Sequence, residues 1–170
     1  MRYNKNTSSN YILKERRSNL LKAHVVFATI TGNNEDIADI VTEGLEDLGV
    51  ETTETEISQT DPLEFKQADI CVICAYTYNE GHLPDEGQDF YAELQKIKLP
   101  KQIYGVAGSG DKYYKQYYNV AVDFFAKAFA KTGAKRGAAN VKINLDPGAD
   151  DIKTLDAFSK SLVATAKKQH

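Results

Sequence analysis

The chain of 170 residues contains no tryptophan, one methionine and two cysteines, and no apolar run approaches the ~20 residues that a membrane-spanning helix needs. Its N-terminus also lacks the apolar stretch of a signal peptide. We therefore expect a cytoplasmic protein with no membrane span. Cys71 and Cys74 lie in an apolar run typical of a strand, where their side chains would point to opposite faces. We expect buried, unreactive thiols rather than a redox pair.

The charge is distributed unevenly along the chain. Residues 1–22 carry six basic residues and one acidic residue, a net of +5, whereas residues 23–170 carry 15 basic and 23 acidic residues, a net of −8. An acidic domain argues against nucleic-acid binding and favours basic protein partners. We interpret residues 1–22 as a basic extension, polar over residues 1–10 and able to form a short helix from Tyr11 to Lys22. That helix could contact a membrane surface or a partner, or the extension could be foreign to the native protein. Residues 23–170 form the single expected domain.

Apolar, strand-like runs alternate with segments of helical periodicity along the domain. Strands are predicted at Ala23–Ala28, Glu51–Ile57, Asp69–Tyr76, Gln102–Ala107 and Ala139–Leu145. Helices are predicted from the spacing of Ile37, Ile40, Val41, Leu45 and Leu48, of Phe90, Leu94 and Ile97, of Tyr118, Val122, Phe125 and Phe129, and of Ile152, Leu155, Leu162 and Ala166. The order βαβαβαβαβα predicts a parallel sheet with helices on both faces and with ligands beyond the carboxyl ends of the strands.

The loop after the first strand has the composition of an anion-binding turn. Thr29 and Thr31 supply hydroxyl groups, Gly32 permits a close approach of the backbone, and Asn33 and Asn34 lie where a helix N-terminus leaves N–H groups unpaired. Neither Gly-Lys-Ser/Thr nor Gly-x-Gly-x-x-Gly occurs, so the common nucleotide motifs are absent. The loop is predicted to bind a phosphate, and the alternative is that it only caps the helix.

Two further loops are suited to a flat aromatic ligand. Thr77–Glu86 follows the third strand and Gly108–Tyr117 follows the fourth, and each places tyrosine beside glycine. Such loops offer an aromatic face and backbone N–H groups to the edge of a ring. Each could also be a simple turn. Because both follow strands of one sheet, as the phosphate-binding loop does, a shared site is the better interpretation.

All three loops resemble those of flavodoxins. The first loop, Thr29 to Asn34, is similar to the family pattern Thr/Ser-x-Thr-Gly-x-Thr, with Asn34 in place of the last Thr. The second, Thr77 to Glu86, is similar to Thr-Trp-Gly-Asp/Glu-Gly-Glu-Leu-Pro-Asp-Glu, and the third, Gly108 to Tyr114, to Gly-Ser/Cys-Gly-Asp-x-x-Tyr. The resemblance implies a flavodoxin-like α/β fold, a three-layer doubly wound sandwich with a five-stranded parallel sheet of order 2-1-3-4-5. The fifth strand runs into the last helix without a long insertion, as in short-chain members.

The resemblance implies that flavin mononucleotide (FMN) binds these loops. The phosphate would be held by Thr29, Ile30, Thr31, Gly32, Asn33 and Asn34. Thr77 would contact the ribityl chain, Tyr78 the inner ring face, and Tyr114, or its neighbour Tyr113, the outer face. The turn of Asn79, Glu80 and Gly81 would meet the central ring, and Gly108, Ser109, Gly110 and Asp111 the pyrimidine edge. His82 either titrates beside the flavin or is a solvated loop residue. The row Asp85, Glu86, Asp89 and Glu93 is either a solvated face or a docking rim.

The function implied by the resemblance is that of a monomeric, low-potential carrier of single electrons between basic redox partner proteins. No Ser/His/Asp, Cys/His or metal-ligand set occurs near the loops, so we expect no substrate-transforming chemistry. Two alternatives share the fold: a quinone or azo reductase that uses FMN, and the flavodoxin relative that activates ribonucleotide reductase.

Overall fold

The computed structural model describes residues 13–15 and 19–170, and its centre is a parallel β-sheet. The strands are β1 (Lys22–Ala28), β2 (Glu51–Glu56), β3 (Ile70–Ala75), β4 (Ile103–Gly110), β5 (Lys135–Arg136) and β6 (Val141–Asn144). The strand order is β2-β1-β3-β4-β5, and β6 also pairs with β4. All pairings are parallel. The order 2-1-3-4-5 and the α/β fold class are therefore confirmed.

The fifth position of the sheet is occupied by two short strands rather than one. β5 pairs with the beginning of β4 at Ile103 and Tyr104, and β6 pairs with its end from Ala107 to Gly110. The predicted strand Ala139–Leu145 covers β6 and misses β5. Between the two strands, a Cβ atom on Gly137 would clash with Ile103 Cγ2, so the backbone here lies directly on the core. A run of small residues next to Gly137 has little strand propensity, which explains the interruption.

In the described part of the chain, four α-helices cover the two faces of the sheet. They are α1 (Asn33–Asp47), α2 (Gln88–Leu94), α3 (Val120–Thr132) and α4 (Ala149–Gln169). The connection from β2 to β3 contains two 3₁₀ helices, Ile57–Gln59 and Pro62–Gln67, where strict alternation predicts an α-helix. The second is six residues long and begins with a capping box between Asp61 and Glu64.

The two faces of the sheet have separate hydrophobic cores. α1 and α4 pack on one face, with Leu45 and Leu162 among the buried side chains. α2 and α3 pack on the other, around the aromatic cluster of Phe65, Phe90 and Phe129. Ile97 and Tyr118, predicted to mark helix faces, lie beyond the end of α2 and before the start of α3, respectively. Since both faces are covered, every residue of β3 is buried.

The two cysteines of β3 are free thiols on opposite faces of the sheet. Cys71 belongs to the core of α2 and α3, and Cys74 to the core of α1 and α4. Burial raises the pKa of both thiols, and the nearby carboxylates Asp69 and Glu54 add to the effect at Cys71 and Cys74, respectively. A raised thiol pKa suppresses the reactive thiolate, so this placement agrees with the expected unreactive pair.

β2 is an edge strand that pairs with β1 alone among the residues that the structure describes. None of its six residues is buried, and three of them are glutamates. Glu54 differs from the other two because it faces α1, where Thr42 Oγ1 donates a hydrogen bond of 2.5 Å to Glu54 Oε2. The pKa of Glu54 is raised to about 7, chiefly by burial and also by the carboxylates of Asp39 and Glu35, while the Thr42 hydrogen bond opposes the shift.

We expect the contribution of Glu54 to the stability of the protein to fall as the pH rises from about 5 to about 8. A free glutamate has a pKa of about 4.3, so in this window the folded state holds a proton on Glu54 that the unfolded state has released. Glu54→Gln should flatten the decline and raise the free energy of unfolding at pH 8 by about 1 kcal/mol, allowing for solvent screening. Urea unfolding at pH 5 and pH 8 measures both effects. Equal effects of the substitution at the two pH values would contradict the assignment.

The expected N-terminal extension falls largely on residues 1–12 and 16–18, which lie outside the described part of the chain. Leu13, Lys14 and Glu15 are helical, in agreement with part of the predicted helix, whereas Lys22, its predicted end, is the first residue of β1. Leu21 packs against the core, so the folded domain begins slightly before residue 23. No helix in the described ranges is long and apolar enough to cross a membrane.

Candidate functional site

A cavity of about 290 Å³ opens at the carboxyl ends of the strands. The loops after β1, β3, β4 and β6 form it, as the topology of a doubly wound sheet predicts. The cavity is lined by Ile30, Thr31, Asn33, Asn34, Tyr76, Thr77, Asn79, Ser109, Gly110, Asp111, Tyr114, Tyr117, Tyr118, Asn119 and Leu145. Ten of the 16 residues assigned to the site from the sequence are among them. The others assigned from the sequence are Thr29, Gly32, Tyr78, Glu80, Gly81, Gly108 and, as the alternative to Tyr114, Tyr113.

The first loop ends in a helix N-terminus that no side chain caps. Gly32 is the N-cap of α1, with φ 95° and no side-chain hydrogen bond to the first turn. The Gly32 N–H donates a hydrogen bond of 2.9 Å to Thr29 Oγ1, so Thr29 stabilises the turn. Thr31, in contrast, lines the cavity. An added Cβ at Gly32 would meet no atom within 4 Å, so glycine is needed for its positive φ rather than for space. The N–H groups of the first helical turn remain available to an anion.

Asn34 lies at the cavity, but its side chain is engaged elsewhere in the protein. Its Oδ1 accepts a hydrogen bond from the Ser109 N–H at 2.8 Å, and its Nδ2 donates to the Ser109 carbonyl at 3.4 Å. The residue is 3% exposed. This differs from the expectation that the Asn34 amide replaces a threonine hydroxyl as a donor to the phosphate, because a partner 75 residues away takes up both ends of the amide.

The second loop is a closed turn that projects from the end of β3. Tyr78 and His82 pair as an isolated antiparallel bridge, with hydrogen bonds of 2.7 and 2.9 Å between their backbones. Within the turn, Asn79 has φ 46° and Gly81 φ 88°. Asn79 lines the cavity in a conformation that asparagine tolerates better than most residues. A Cβ on Gly81 would lie 2.9 Å from Tyr117 Cδ1, so this turn packs closely on the third loop.

Two residues at the end of β3 connect the cavity to neighbouring elements. Thr77 Oγ1 accepts a hydrogen bond from the Ala121 N–H at 3.1 Å and so satisfies a donor in the first turn of α3. Tyr76 donates its hydroxyl to both carboxylate oxygens of Glu86, at 2.9 and 3.0 Å. Burial raises the pKa of Tyr76, and the hydrogen bond and charge of Glu86 raise it further. The phenol therefore stays protonated and acts as a donor.

The third loop places one of two adjacent tyrosines at the cavity. Tyr114 lines it and is 45% exposed, whereas Tyr113 is 79% exposed and does not line it. The two rings meet edge to face at 5.5 Å. Asp111 Oδ1 accepts from the Tyr113 N–H and begins the 3₁₀ helix Lys112–Tyr117. Of the two alternatives left open by the sequence, the geometry favours Tyr114 as the residue that can face a ligand.

Glycines at the end of β4 allow the loops to approach one another. A Cβ on Gly108 would lie 2.5 Å from the Ala75 carbonyl oxygen and 2.7 Å from Val122 Cγ2. A Cβ on Gly110 would clash with Asn119 Oδ1. Gly110 lines the cavity, whereas Gly108 lies behind it. Gly108 therefore serves the packing of β3, β4 and α3 beneath the site.

Five cavity residues were missed by sequence reasoning: Tyr76, Tyr117, Tyr118, Asn119 and Leu145. Leu145 follows β6, and its loop could have been predicted, because the fifth position of a parallel sheet ends at the same edge as the others. Its backbone has φ 60°, its N–H donates to the Gly110 carbonyl, and its carbonyl accepts from the Ser109 hydroxyl. Tyr117 and Tyr118 were placed on a loop and on a helix, and nothing in the sequence distinguishes their orientation.

The cavity combines neutral hydrogen-bond donors with aromatic surface. Its lining includes hydroxyl, amide and backbone groups and four tyrosines but no lysine, arginine or histidine. Within the described ranges no group of three or more His, Cys, Asp or Glu side chains could hold a metal ion. A ligand with a small anionic end and a flat aromatic end matches this distribution, the anion at the start of α1 and the ring among the tyrosines.

Comparisons with known proteins agree with this geometry. The family model "Flavodoxin" matches residues 25–157. The chain is 32% identical over 148 residues to "Probable flavodoxin 1" of Bacillus subtilis (strain 168), covering 86% of this chain and 93% of that protein. The structure of a short-chain flavodoxin associated with a non-canonical PDU bacterial microcompartment matches with TM-score 0.85 and 56% identity, covering 86% of this chain and 99% of that one. The flavodoxin of Streptococcus pneumonia TIGR4 matches with TM-score 0.83 and 44% identity over 85% and 99% of the two chains.

Proposed function

This chain belongs to the flavodoxin family, and from that premise we propose that it carries single electrons between redox proteins on a non-covalently bound FMN. The observation that carries the proposal is the cavity itself, which joins an uncapped helix N-terminus to a tyrosine-lined pocket. The bound flavin supplies the redox chemistry, and the protein binds the cofactor and sets its surroundings.

The first loop would hold the phosphate with neutral donors. The hydroxyl of Thr31, the side-chain amide of Asn33 and the backbone N–H groups of Ile30, Asn33 and Asn34 are the groups in position to do so. Thr29 acts through the turn, because its oxygen accepts from Gly32. Several backbone donors and a helix N-terminus bind a phosphate without a cation.

The second and third loops would hold the ring system. We assign Tyr114, which lines the cavity, to one face and Tyr78, which adjoins the cavity residue Asn79, to the other; they are 45% and 40% exposed, respectively. The turn Asn79–Gly81 and the backbone from Gly108 to Asp111 would border the ring edge. Thr77 would donate its hydroxyl hydrogen to the ribityl chain, because its oxygen already accepts from Ala121.

The acidic surface supports two parts of the proposal. Residues 23–170 carry a net charge of −8, and negative charge near a flavin disfavours adding an electron, which favours a low reduction potential.

A groove beside α2 is lined by the carboxylates Asp61, Glu64, Glu86, Asp89 and Glu93. Since Glu86 also accepts the hydroxyl of Tyr76, the groove borders the cavity. A basic partner would be attracted to this face.

An electron carrier of this kind transforms no substrate of its own. We expect NAD(P)H alone to reduce the FMN-loaded protein very slowly, because the tyrosines over the ring leave little room for a nicotinamide, and a reductase partner to reduce it rapidly. The partner-driven rate should fall with salt as charge attraction is screened. Stopped-flow absorption at the visible bands of the flavin measures these rates. Rapid reduction of a quinone by NAD(P)H without a partner would instead favour the reductase alternative.

A further inference from the structure

We propose that Asn34 is a positioning residue that sets the spacing between the phosphate-binding and ring-binding loops, and that its side chain is not a ligand of the phosphate. The inference rests on the proposed FMN function. Asn34 is the second residue of α1, and Ser109 is the penultimate residue of β4, so one side chain joins the loop after β1 to the loop after β4.

The amide of Asn34 takes the place of a strand beside the end of β4. The ladder between β3 and β4 ends at the pair Cys74 and Ala107, two residues before Ser109. Beyond that point both backbone groups of Ser109 form hydrogen bonds with the Asn34 side chain. Its oxygen accepts from the Ser109 N–H, and its NH₂ group donates to the Ser109 carbonyl. Ser109 is 3% exposed, so these backbone groups have no access to bulk water and would be costly to leave unpaired.

Only a carboxamide side chain presents both partners in this arrangement. An amide carries a carbonyl oxygen and an NH₂ group side by side, as a peptide does. The Ser109 N–H fixes which end is the oxygen, because a donor cannot face the NH₂ group. A threonine, the usual residue of the family pattern at this place, has a single hydroxyl oxygen on a shorter side chain, so it cannot present a donor and an acceptor on two separate atoms.

Ser109 transmits this constraint to the rest of the site. Its hydroxyl donates to the Leu145 carbonyl, so the loops after β1, β4 and β6 meet at one residue. Gly110 and Asp111 follow directly and line the cavity. Loss of the Asn34 bonds would release the backbone that borders the ring, while the first helical turn would keep its N–H groups for the phosphate. The cost should therefore appear in binding of the ring.

The adjacent residue Asn33 provides a matched comparison, because it lines the cavity on the same turn. Asn34→Ala should weaken FMN and riboflavin by the same factor, about tenfold, since both ligands carry the same ring. Asn33→Ala should weaken FMN and leave riboflavin unchanged. Fluorescence titration of the ligand-free proteins measures all four affinities. A loss confined to FMN in Asn34→Ala, or no loss for either ligand, would overturn the inference.

Amide hydrogen exchange in the ligand-free protein tests the same contact without a cofactor. The Ser109 N–H should be protected in the parent and in Asn33→Ala and should exchange faster in Asn34→Ala, whereas Val72 in the centre of β3 should remain protected in all three. Unchanged protection of Ser109 in Asn34→Ala would overturn the inference. If Asn34→Ala does not fold, Asn34→Thr is used, and the Ser109 N–H is again expected to exchange faster than in the parent. Failure of the parent protein to bind either flavin would instead reject the proposed function.

Discussion

FMN should bind the ligand-free protein at least about a hundredfold more tightly than riboflavin, because several donors converge where the phosphate would lie, with a combined contribution of roughly 3 kcal/mol. These donors are the N–H groups of the uncapped first turn of α1 and the polar side chains of Thr31 and Asn33 beside it. Riboflavin has the same ring and ribityl chain and lacks the phosphate. Fluorescence titration of the ligand-free protein with each flavin gives the two dissociation constants.

Thr31→Val separates a phosphate contact from a structural role. Valine has nearly the shape of threonine and no hydroxyl, so the substitution should weaken FMN by about tenfold and leave riboflavin unchanged. An equal loss for both flavins would show that Thr31 only supports the loop. Equal affinities of the parent protein for FMN and riboflavin would remove the phosphate assignment altogether.

Gly108→Ala should destabilise the protein by about 3 kcal/mol, because the new methyl group meets atoms that have no room to move. The added carbon would lie 2.5 Å from the Ala75 carbonyl oxygen, which is backbone within the central sheet, and 2.7 Å from a methyl group of buried Val122. Strand β4 would have to separate from β3 or from α3. Urea unfolding of the ligand-free protein measures the loss, and flavin affinity should fall with it.

Gly148→Ala is the matched control for this substitution. Gly148 has φ −96°, and a Cβ there would come no nearer than 3.8 Å to another residue, at Asp151 Oδ2. We expect its free energy of unfolding to change by less than about 0.5 kcal/mol. Similar losses at the two glycines would show that the close approach at Gly108 is relieved by a small shift of the backbone.

Local patterns were sufficient to predict most of the fold from the sequence. β3 is buried on both faces, and its continuous apolar run predicts a central strand. The mixture of glutamate and threonine in β2 predicts an edge, where it is found. β5 could not be predicted, because Lys135 and Arg136 are exposed and pair only with the beginning of β4. Such a strand forms because the neighbouring strand β4 pairs with it, and not because its own residues favour the β conformation.

The composition of the candidate site was easier to predict than the direction of its side chains. The turn at Gly32 follows from a local motif, and its positive φ agrees with that reading. The side chain of Asn34 instead forms a hydrogen bond with Ser109, which lies 75 positions away in the sequence. A contact over that separation cannot be inferred from the residues around Asn34. Tyr76 was predicted only as the last residue of a strand. Its role at the cavity was missed, since its hydrogen bond to Glu86 also depends on the tertiary fold.

The exposed strand β2 also bears on how copies of this protein behave in a concentrated solution. No described residue pairs with its outer side, and unpaired backbone groups on a strand edge are the usual starting point for strand-to-strand aggregation. Half of its residues are glutamates and none is buried. Two copies joined along this edge would bring two rows of carboxylates together and leave almost no apolar surface to compensate for the repulsion. The composition that makes β2 a minor contributor to the core therefore opposes the pairing of two copies along this edge.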